Sequence, residues 1–348
     1  MNSKNSVRRK LTALLMALVT GLAAVIGAPQ ASAAHRDWLR PDSTGHCEWD
    51  RVGFWVQRCT VWSPAMNRHI PVQIQPAQRA GNAGLYMLDG LRATEITNAW
   101  VNDVNAAQMF KDNNITLVMP VGGQSSFYTD WNAPATYDFN HPVTYKWDTF
   151  LSKELPSYLQ THFGVSPTNN SILGLSMGGT AAINLAALHP NQFRQVLSFS
   201  GYLTTTVPGA QTALRAALLD GGMYNLNAMW GSSLNPRRFE NDPFLNMGNL
   251  RGRDVYVSAG SGVPGPADEK YLPQHRASGI ALENIASATT RAWSAKATVT
   301  GVKHTAVFTP TGLHNWDQFG GQLAATKPRI LNAVSYTHLR AHETRGNL

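Results

Sequence analysis

The chain has 348 residues, of which 43% are hydrophobic, and a formal net charge of +8. Most of this positive net charge lies at the two ends of the chain, because residues 1–33 carry +4 and residues 335–348 carry +1. The residues between them therefore carry a net charge of +3. No basic run remains in that central part, so nucleic-acid binding is excluded as an explanation of the charge. The central part is long enough to bury a substantial core, and no linker-like stretch divides it. We therefore predict a single domain over residues 34–334.

The first 33 residues have the three parts of a secretory signal peptide. A basic region contains Lys4 and residues 8–10, residues 11–26 are apolar, and residues 31–33 form a small-residue cleavage site. The apolar run is short for a membrane-spanning helix, which favours a cleaved signal over a retained anchor. We therefore expect a secreted protein whose mature chain begins near Ala34.

Cys47 and Cys59 are the two cysteines of the sequence. Export places them in an oxidising compartment, where a pair tends to form a disulfide. We therefore predict a Cys47–Cys59 bond, with two free buried thiols as the alternative. Two cysteines without clustered histidines also argue against a structural zinc site.

Strand-like and helix-like segments alternate along the rest of the chain. Residues 69–75 alternate apolar and polar side chains, which is typical of an edge or antiparallel strand. Further strands are predicted at residues 84–88, 115–120, 171–175, 196–200, 255–259 and 297–302. Helices are predicted at residues 104–111, 149–163, 178–188, 210–219, 271–293 and 317–333. The alternation predicts an α/β fold with a mainly parallel central sheet and helices on both faces, which binds ligands beyond the carboxyl ends of its strands.

Residues 335–348 follow directly on the last predicted helix. They resemble a translated sequencing-adapter artefact, and we exclude them from the predicted fold as one excludes a fusion scar. A natural tail is the alternative.

Residues 174–178 read Gly-Leu-Ser-Met-Gly, which matches the Gly-x-Ser-x-Gly nucleophile elbow of α/β-hydrolases. The motif needs a strand before it and a helix after it, because the serine sits on a sharp turn between the two. Both flanking segments have that character here. We therefore predict that Ser176 is a catalytic nucleophile.

A hydrolase serine needs a histidine base and an acid that orients the base, in the chain order Ser, acid, His. His314 lies in a turn-rich loop before the final predicted helix, and we expect it to be the base. His304 is the alternative, although it is more simply explained as a hydrogen-bonded core residue. Among the acids, the pattern favours Asp268, while Glu283 lies on the following helical stretch.

The oxyanion hole of such a site uses two backbone N–H groups. One belongs to the residue after the nucleophile, here Met177, and the other to a loop after an early strand. Residues 89–92 follow the strand predicted at residues 84–88, so we expect Leu91 to supply the second donor.

Several blocks of the sequence resemble the mycolyltransferases of the antigen 85 type, which are secreted acyltransferases. The resemblance runs from about residue 56 to residue 330. The corynebacterial-type branch is favoured because residues 133–143 lack the cysteine that mycobacterial members have there. Besides the elbow, the matching blocks are residues 88–93 (LDGLRA), 118–128 (VMPVGGQSSFY), 130–131 (DW), 144–147 (TYKW), 229–231 (MWG) and 314–316 (HNW).

The resemblance implies an α/β-hydrolase fold and the residues of the site. We expect no cofactor or metal, because serine acyl transfer needs none. The resemblance places Glu283, rather than Asp268, in a triad with Ser176 and His314. Its oxyanion donors match those expected from the motif. The residues that it implies are Ser176, Glu283 and His314 in the triad, Leu91 and Met177 in the oxyanion hole, and Asp89, Arg92 and Trp316 as contacts to trehalose.

The implied activity is transfer of a mycolyl group from trehalose monomycolate, through an acyl-enzyme on Ser176. The acceptor is a second trehalose monomycolate or cell-wall arabinogalactan. The implied location is the cell envelope, and we expect a monomer. The alternatives are a secreted carboxylesterase, which gives the acyl group to water, and an adhesin, because the family also binds host fibronectin.

Overall fold

The computed structural model describes residues 36–79, 81–137 and 142–343, the last ten of these by backbone alone. The predicted signal peptide lies outside the described residues. The final helix runs into the segment that we excluded from the fold prediction, since its backbone continues to Glu343.

The strands of the described chain are β1 (Pro41–Asp42), β2 (Gly45–His46), β3 (Glu48–Trp49), β4 (Gln57–Ser63), β5 (Arg68–Gln75), β6 (Gly84–Leu88), β7 (Thr116–Pro120), β8 (Asn170–Leu175), β9 (Phe193–Phe199), β10 (Asp254–Ala259) and β11 (Thr305–Phe308). Nine of them form one sheet, in the order β11-β10-β9-β8-β6-β7-β5-β4-β3. A separate two-stranded ribbon pairs β1 with β2.

Strands β6 to β11 are parallel, whereas β3, β4 and β5 extend one edge of the sheet by antiparallel pairing. The predicted α/β-hydrolase class and the antiparallel strand around residues 69–75 are therefore confirmed. Strand β6 lies between β7 and β8, so the chain leaves β6 toward one side and later returns on the other. Open α/β sheets bind ligands beyond the carboxyl ends of the strands at such a reversal.

Helices cover both faces of the sheet. They are α1 (Ala99–Asn102), α2 (Ala106–Phe110), α3 (Trp147–Thr149), α4 (Leu155–Phe163), α5 (Met177–Leu188), α6 (Ala210–Asp220), α7 (Leu226–Trp230), α8 (Pro236–Glu240), α9 (Pro243–Asn246), α10 (Pro273–Val299) and α11 (Trp316–Glu343). A π-helical turn, Phe150–Glu154, joins α3 to α4, and short 3₁₀ helices lie at Met247–Leu250 and Pro266–Lys270.

Two hydrophobic clusters pack on opposite faces of the sheet. Neighbouring residues of a strand point to opposite faces, so Tyr86 joins one cluster while Leu85 and Met87 join the other. The first cluster includes Ala182 of α5, and the second includes Phe319 of α11. Burial on both faces explains why the parallel strands are continuous apolar runs.

The prediction of a strand at residues 297–302 is wrong. Helix α10 continues to Val299, and Ala297 is buried in the hydrophobic cluster that includes α5. The last strand is instead Thr305–Phe308, which pairs in parallel with β10. The β-branched residues of this segment favour a strand locally, but packing of the helix against the sheet decides the outcome.

The Cys47–Cys59 disulfide is present, which confirms the predicted pairing, and both residues are buried. It joins residues 12 positions apart at the antiparallel edge of the sheet.

We expect the double variant Cys47→Ala/Cys59→Ala to lose about 3 kcal/mol of unfolding free energy, because a cross-link of this span restricts the unfolded chain. Chemical denaturation measures this loss. Wild-type protein under reducing conditions should unfold like the variant, and a reductant without effect would contradict the prediction.

Candidate active site

Ser176 occupies the sharp turn between β8 and α5. Its backbone has φ 51° and ψ −123°, and its N–H donates to the Phe199 carbonyl at 2.9 Å. A Cβ at Gly174 would lie 2.2 Å from the Gly178 carbonyl oxygen, and one at Gly178 would lie 2.4 Å from the Asp89 carbonyl oxygen. Both glycines of the motif are therefore required by close backbone approaches, as the sequence predicts for an elbow.

Glu283 and His314 form a buried hydrogen-bonded pair. The Nδ1 atom of His314 lies 2.8 Å from Oε2 of Glu283, whose side chain has no exposed surface. The other carboxylate oxygen accepts hydrogen bonds from Ser200 Oγ at 2.6 Å and from the Gly260 N–H at 2.5 Å. Three donors thus fix the carboxylate, and the carboxylate fixes the imidazole.

The second ring nitrogen of His314 is free to act as a base. With Nδ1 next to a carboxylate, the ring proton belongs on Nδ1 and Nε2 is an acceptor. Nε2 is buried and has no hydrogen-bond partner among the described residues. A buried unpaired acceptor of this kind is costly unless a substrate or a catalytic step uses it.

The structure places the other candidates of the sequence elsewhere. Asp268 accepts hydrogen bonds from Asn315 Nδ2 at 2.6 Å and from the Gly265 N–H at 2.7 Å, so it supports the loop next to His314. His304 Nε2 lies 2.7 Å from Ser294 Oγ, and the ring packs edge-on against Trp293.

The two predicted oxyanion donors lie on segments that meet at the elbow. Met177 is the first residue of α5, a position whose N–H has no acceptor within the helix. Gly90 approaches Ser176 from the loop after β6, since a Cβ on Gly90 would lie 3.9 Å from Ser176 Cβ. Leu91 follows directly, and its carbonyl is held by the Ser125 N–H at 2.9 Å.

The three predicted sugar contacts have different environments. Asp89 is buried and accepts hydrogen bonds from the N–H groups of Gly90 and Ala99. Arg92 is exposed and pairs with Asp220 at 2.5 Å, so it forms its ion pair in solvent and not with Asp89. Trp316 is half-buried at the start of α11, with its ring 5.7 Å from that of Trp100.

The buried Asp89 carboxyl gives the protein a pH-dependent stability. Burial raises its pKa to about 6, against the lowering effect of its two backbone hydrogen bonds. The unfolded pKa is about 4, so between these values the folded state binds more protons than the unfolded state. The contribution of Asp89 to the unfolding free energy is therefore fully present below about pH 4 and is lost as the pH rises through about 6.

Between pH 4 and pH 7, we expect the wild type to lose about 2 kcal/mol of unfolding free energy relative to the Asp89→Asn variant. Urea titrations of both proteins across this range measure the difference. Parallel pH curves would contradict the assigned shift.

A cavity of about 580 Å³ is lined in part by Gly222, and the adjacent Gly221 lies against Leu91, since a Cβ at Gly221 would be 3.4 Å from Leu91 Cδ2. Its wall includes Met223 and Tyr224, which follow α6, and the preceding Gly221 carbonyl accepts from Gln124 Nε2 at 2.6 Å. The lining residues are Thr136, Tyr137, Val143, Tyr145, Gly222, Met223 and Tyr224.

Sequence reasoning missed the segment Ser200 to Tyr202, which follows β9 and contacts two members of the predicted triad, Glu283 and His314. Ser200 Oγ donates to Glu283, and the Tyr202 ring stacks on His314 with centroids 5.8 Å apart. The segment also contacts α5, because the Tyr202 N–H donates to Thr180 Oγ1 at 2.9 Å. Its position after the strand that neighbours β8 is the signal that could have identified it.

Within the described residues, no helix has the length and apolar character needed to cross a membrane. In the same part of the chain, no group of three or more His, Cys, Asp or Glu side chains could hold a metal ion.

The chain is similar to proteins of known family over most of its length. Residues 63–330 match the family described as "Putative esterase". Diacylglycerol acyltransferase/mycolyltransferase Ag85C of Mycobacterium leprae is 33% identical over 94% of this chain and 92% of its own. Ag85A of Mycobacterium bovis, which carries the same description, is 35% identical over 92% of this chain and 90% of its own.

A solved structure has a similar fold over most of the chain. The crystal structure of Mycobacterium tuberculosis MPT51 (FbpC1) superposes with a TM-score of 0.70 at 28% identity, covering 80% of this chain and 98% of that chain. The range matched by the esterase family contains Ser176, Glu283 and His314.

Proposed function

Because the chain belongs to the putative-esterase family and to its Ag85-type mycolyltransferases, we propose that it transfers a mycolyl group from trehalose monomycolate to a sugar acceptor. The acceptor is a second trehalose monomycolate or cell-wall arabinogalactan. The observation that carries the proposal is the Glu283–His314 pair, in which His314 Nε2 has no hydrogen-bond partner among the described residues. Its support for a joint site with Ser176 is Ser200, which donates to Glu283 and directly follows Phe199, the residue whose carbonyl accepts from the Ser176 N–H.

The reaction follows from the roles we propose for these residues. Ser176 Oγ attacks the ester carbonyl while His314 Nε2 takes its proton, and Glu283 stabilises the charged imidazole. The N–H groups of Leu91 and Met177 stabilise the oxyanion, which is worth about 3 kcal/mol per donor in comparable sites. His314 then protonates the leaving sugar, which leaves a mycolyl ester on Ser176.

The second half-reaction repeats these steps with a different alcohol. An acceptor hydroxyl gives its proton to His314 and attacks the ester, and Ser176 Oγ leaves and recovers a proton. Transfer exceeds hydrolysis only if the acceptor is held better than water. We propose that Asp89, Arg92 and the half-buried Trp316 hold the sugar, and that the cavity beside Leu91 takes part of the acyl chain.

The apolar residues of the segment between β9 and α8 differ in exposure, and this decides which of them can line the proposed acyl site. Leu218, Leu226 and Met229 are fully buried in the core, whereas Met223 is exposed and lines the cavity. We therefore assign Met223, and not the buried residues, to the acyl wall.

We further propose that the protein acts as a secreted monomer at the cell envelope. The support is its predicted signal peptide and the cell-wall chemistry of the proposed substrates. Fibronectin binding is a separate proposal that comes from the family resemblance alone.

The test is product analysis with trehalose monomycolate, comparing wild type with Ser176→Ala. Serine-dependent formation of trehalose dimycolate and free trehalose is the expected result. Serine-dependent release of free mycolic acid as the sole product would favour the carboxylesterase. Addition of arabinogalactan distinguishes the two acceptors, because a transferase that prefers it produces mycolylated polysaccharide at the expense of dimycolate.

A further inference from the structure

The peptide group between Phe199 and Ser200 joins the nucleophile elbow to strand β10. Its carbonyl accepts from the Ser176 N–H at 2.9 Å, and its N–H donates to the Ser258 carbonyl of β10 at 2.7 Å. Strand β9 lies between β8 and β10 in the sheet, so the two contacts come from opposite sides. The backbone of Ser200 is therefore fixed with respect to both Ser176 and the end of β10.

The side chain of Ser200 reaches the carboxylate of Glu283. Its Oγ donates to Oε1 at 2.6 Å, and the N–H of Gly260, directly after β10, donates to the same oxygen at 2.5 Å. The other carboxylate oxygen lies 2.8 Å from His314 Nδ1. Ser200 and Glu283 are both buried, and a hydrogen bond is stronger in such surroundings than in water. Ser200 thus links the elbow to the carboxylate that contacts the imidazole.

The backbone of Ser200 has an unfavourable conformation. Its φ of 50° lies in the left-handed region, which residues other than glycine rarely adopt. Glycine would take this conformation at a lower cost, but it has no hydroxyl. Strained residues persist where the surrounding structure determines them, and they cluster at active sites. The hydroxyl is the feature of Ser200 that glycine could not supply.

We propose that Ser200 is a positioning residue, whose hydroxyl holds Glu283 in the orientation that aligns the His314 imidazole with Ser176. The proposal rests on the function proposed above. Ser200 acts through Glu283, because the carboxylate orients the imidazole and stabilises its charged form. Without the hydroxyl, the carboxylate and the imidazole lose part of their alignment, which slows proton transfer from Ser176 and leaves substrate binding unchanged.

The test compares Ser200→Ala with Ser200→Gly, because both variants lack the hydroxyl and only glycine suits the left-handed backbone. Ser198→Ala is the matched control. Ser198 is buried on β9, and its Oγ has no hydrogen-bond partner among the described residues. Labelling by a fluorophosphonate probe reports the reactivity of Ser176, and a p-nitrophenyl ester gives kcat and KM. Thermal unfolding of each variant reports the stability of the fold.

We expect both Ser200 variants to lower the labelling rate and kcat by about 10- to 100-fold, which is typical for a hydrogen bond to a charged group. KM should change little, and Ser198→Ala should label like the wild type. Ser200→Gly should nevertheless melt about 2 °C above Ser200→Ala, because it relieves the backbone strain. Recovery of activity in Ser200→Gly along with stability would show a structural role only and would overturn the proposal.

A double-mutant cycle tests whether the hydroxyl acts through Glu283. In the Glu283→Gln background, Ser200→Ala should lower the labelling rate by less than about threefold, because the carboxylate that it orients is absent. The full loss in both backgrounds would mean that the hydroxyl acts independently of Glu283, and it would overturn the proposal. Normal labelling of Ser200→Ala would overturn the role of Ser200 alone, whereas a wild type that does not label would overturn the proposed function and this role with it.

Discussion

Replacement of Ser176 by alanine is expected to lower acyl transfer by about 10⁶-fold, to the level left by binding and the oxyanion hole. The substitution removes one oxygen from a side chain that is 7% exposed and leaves the strained turn in place. The fold should therefore persist, with an unchanged circular dichroism spectrum. Turnover of trehalose monomycolate and of a p-nitrophenyl ester measures the loss.

Ser171→Ala is the matched control for this variant. Ser171 lies on β8, the strand that precedes Ser176, and loses one buried hydrogen bond to Gln195 Oε1 when it is replaced. It should retain activity within a few-fold. Retention of more than about 1% of wild-type turnover by Ser176→Ala would place the nucleophile at another residue.

The second large effect is expected for Glu283→Gln, which should lower kcat by about 10⁴-fold. An amide at this position offers a donor to His314 Nδ1, so the imidazole adopts the tautomer that protonates Nε2 and ceases to be a base. The amide oxygen can still accept from Ser200 and Gly260, which limits the structural damage. Steady-state kinetics together with thermal unfolding separates the two effects.

The variant Asp268→Asn tests which of the two candidates, Asp268 or Glu283, is the acid of the triad. Asp268 supports Asn315 and Gly265, so its amide variant should weaken the loop but keep activity within about tenfold. A 10⁴-fold loss in Asp268→Asn, with Glu283→Gln active, would reverse the assignment of the acid.

The parallel strands and the elbow could be predicted because local pattern decides them. Strands β6, β7, β8 and β10 are buried on both faces, and the resulting apolar runs are visible in the sequence. The two glycines of the elbow are likewise required by contacts within a few residues or with the adjacent strand.

The choice between Asp268 and Glu283 could not be made from spacing, because it depends on how α10 packs against β10. That packing brings Glu283 to the Gly260 N–H, while Asp268 turns toward Asn315. Ser200 and Tyr202 were missed for the same reason, since only the pairing of β9 with β8 brings them to the elbow.

The order of the strands places Ser176 near the middle of the sheet and His314 near its edge. Ser176 follows β8, which has neighbours on both sides, whereas His314 lies between the outermost strand β11 and the final helix. Outer elements of a domain open at a lower free energy than its centre. Local opening of β11 and the loop that follows it would withdraw His314, the proposed base, while Ser176 and most of the secondary structure stayed in place. Loss of turnover is therefore an earlier sign of damage to this protein than loss of its overall fold.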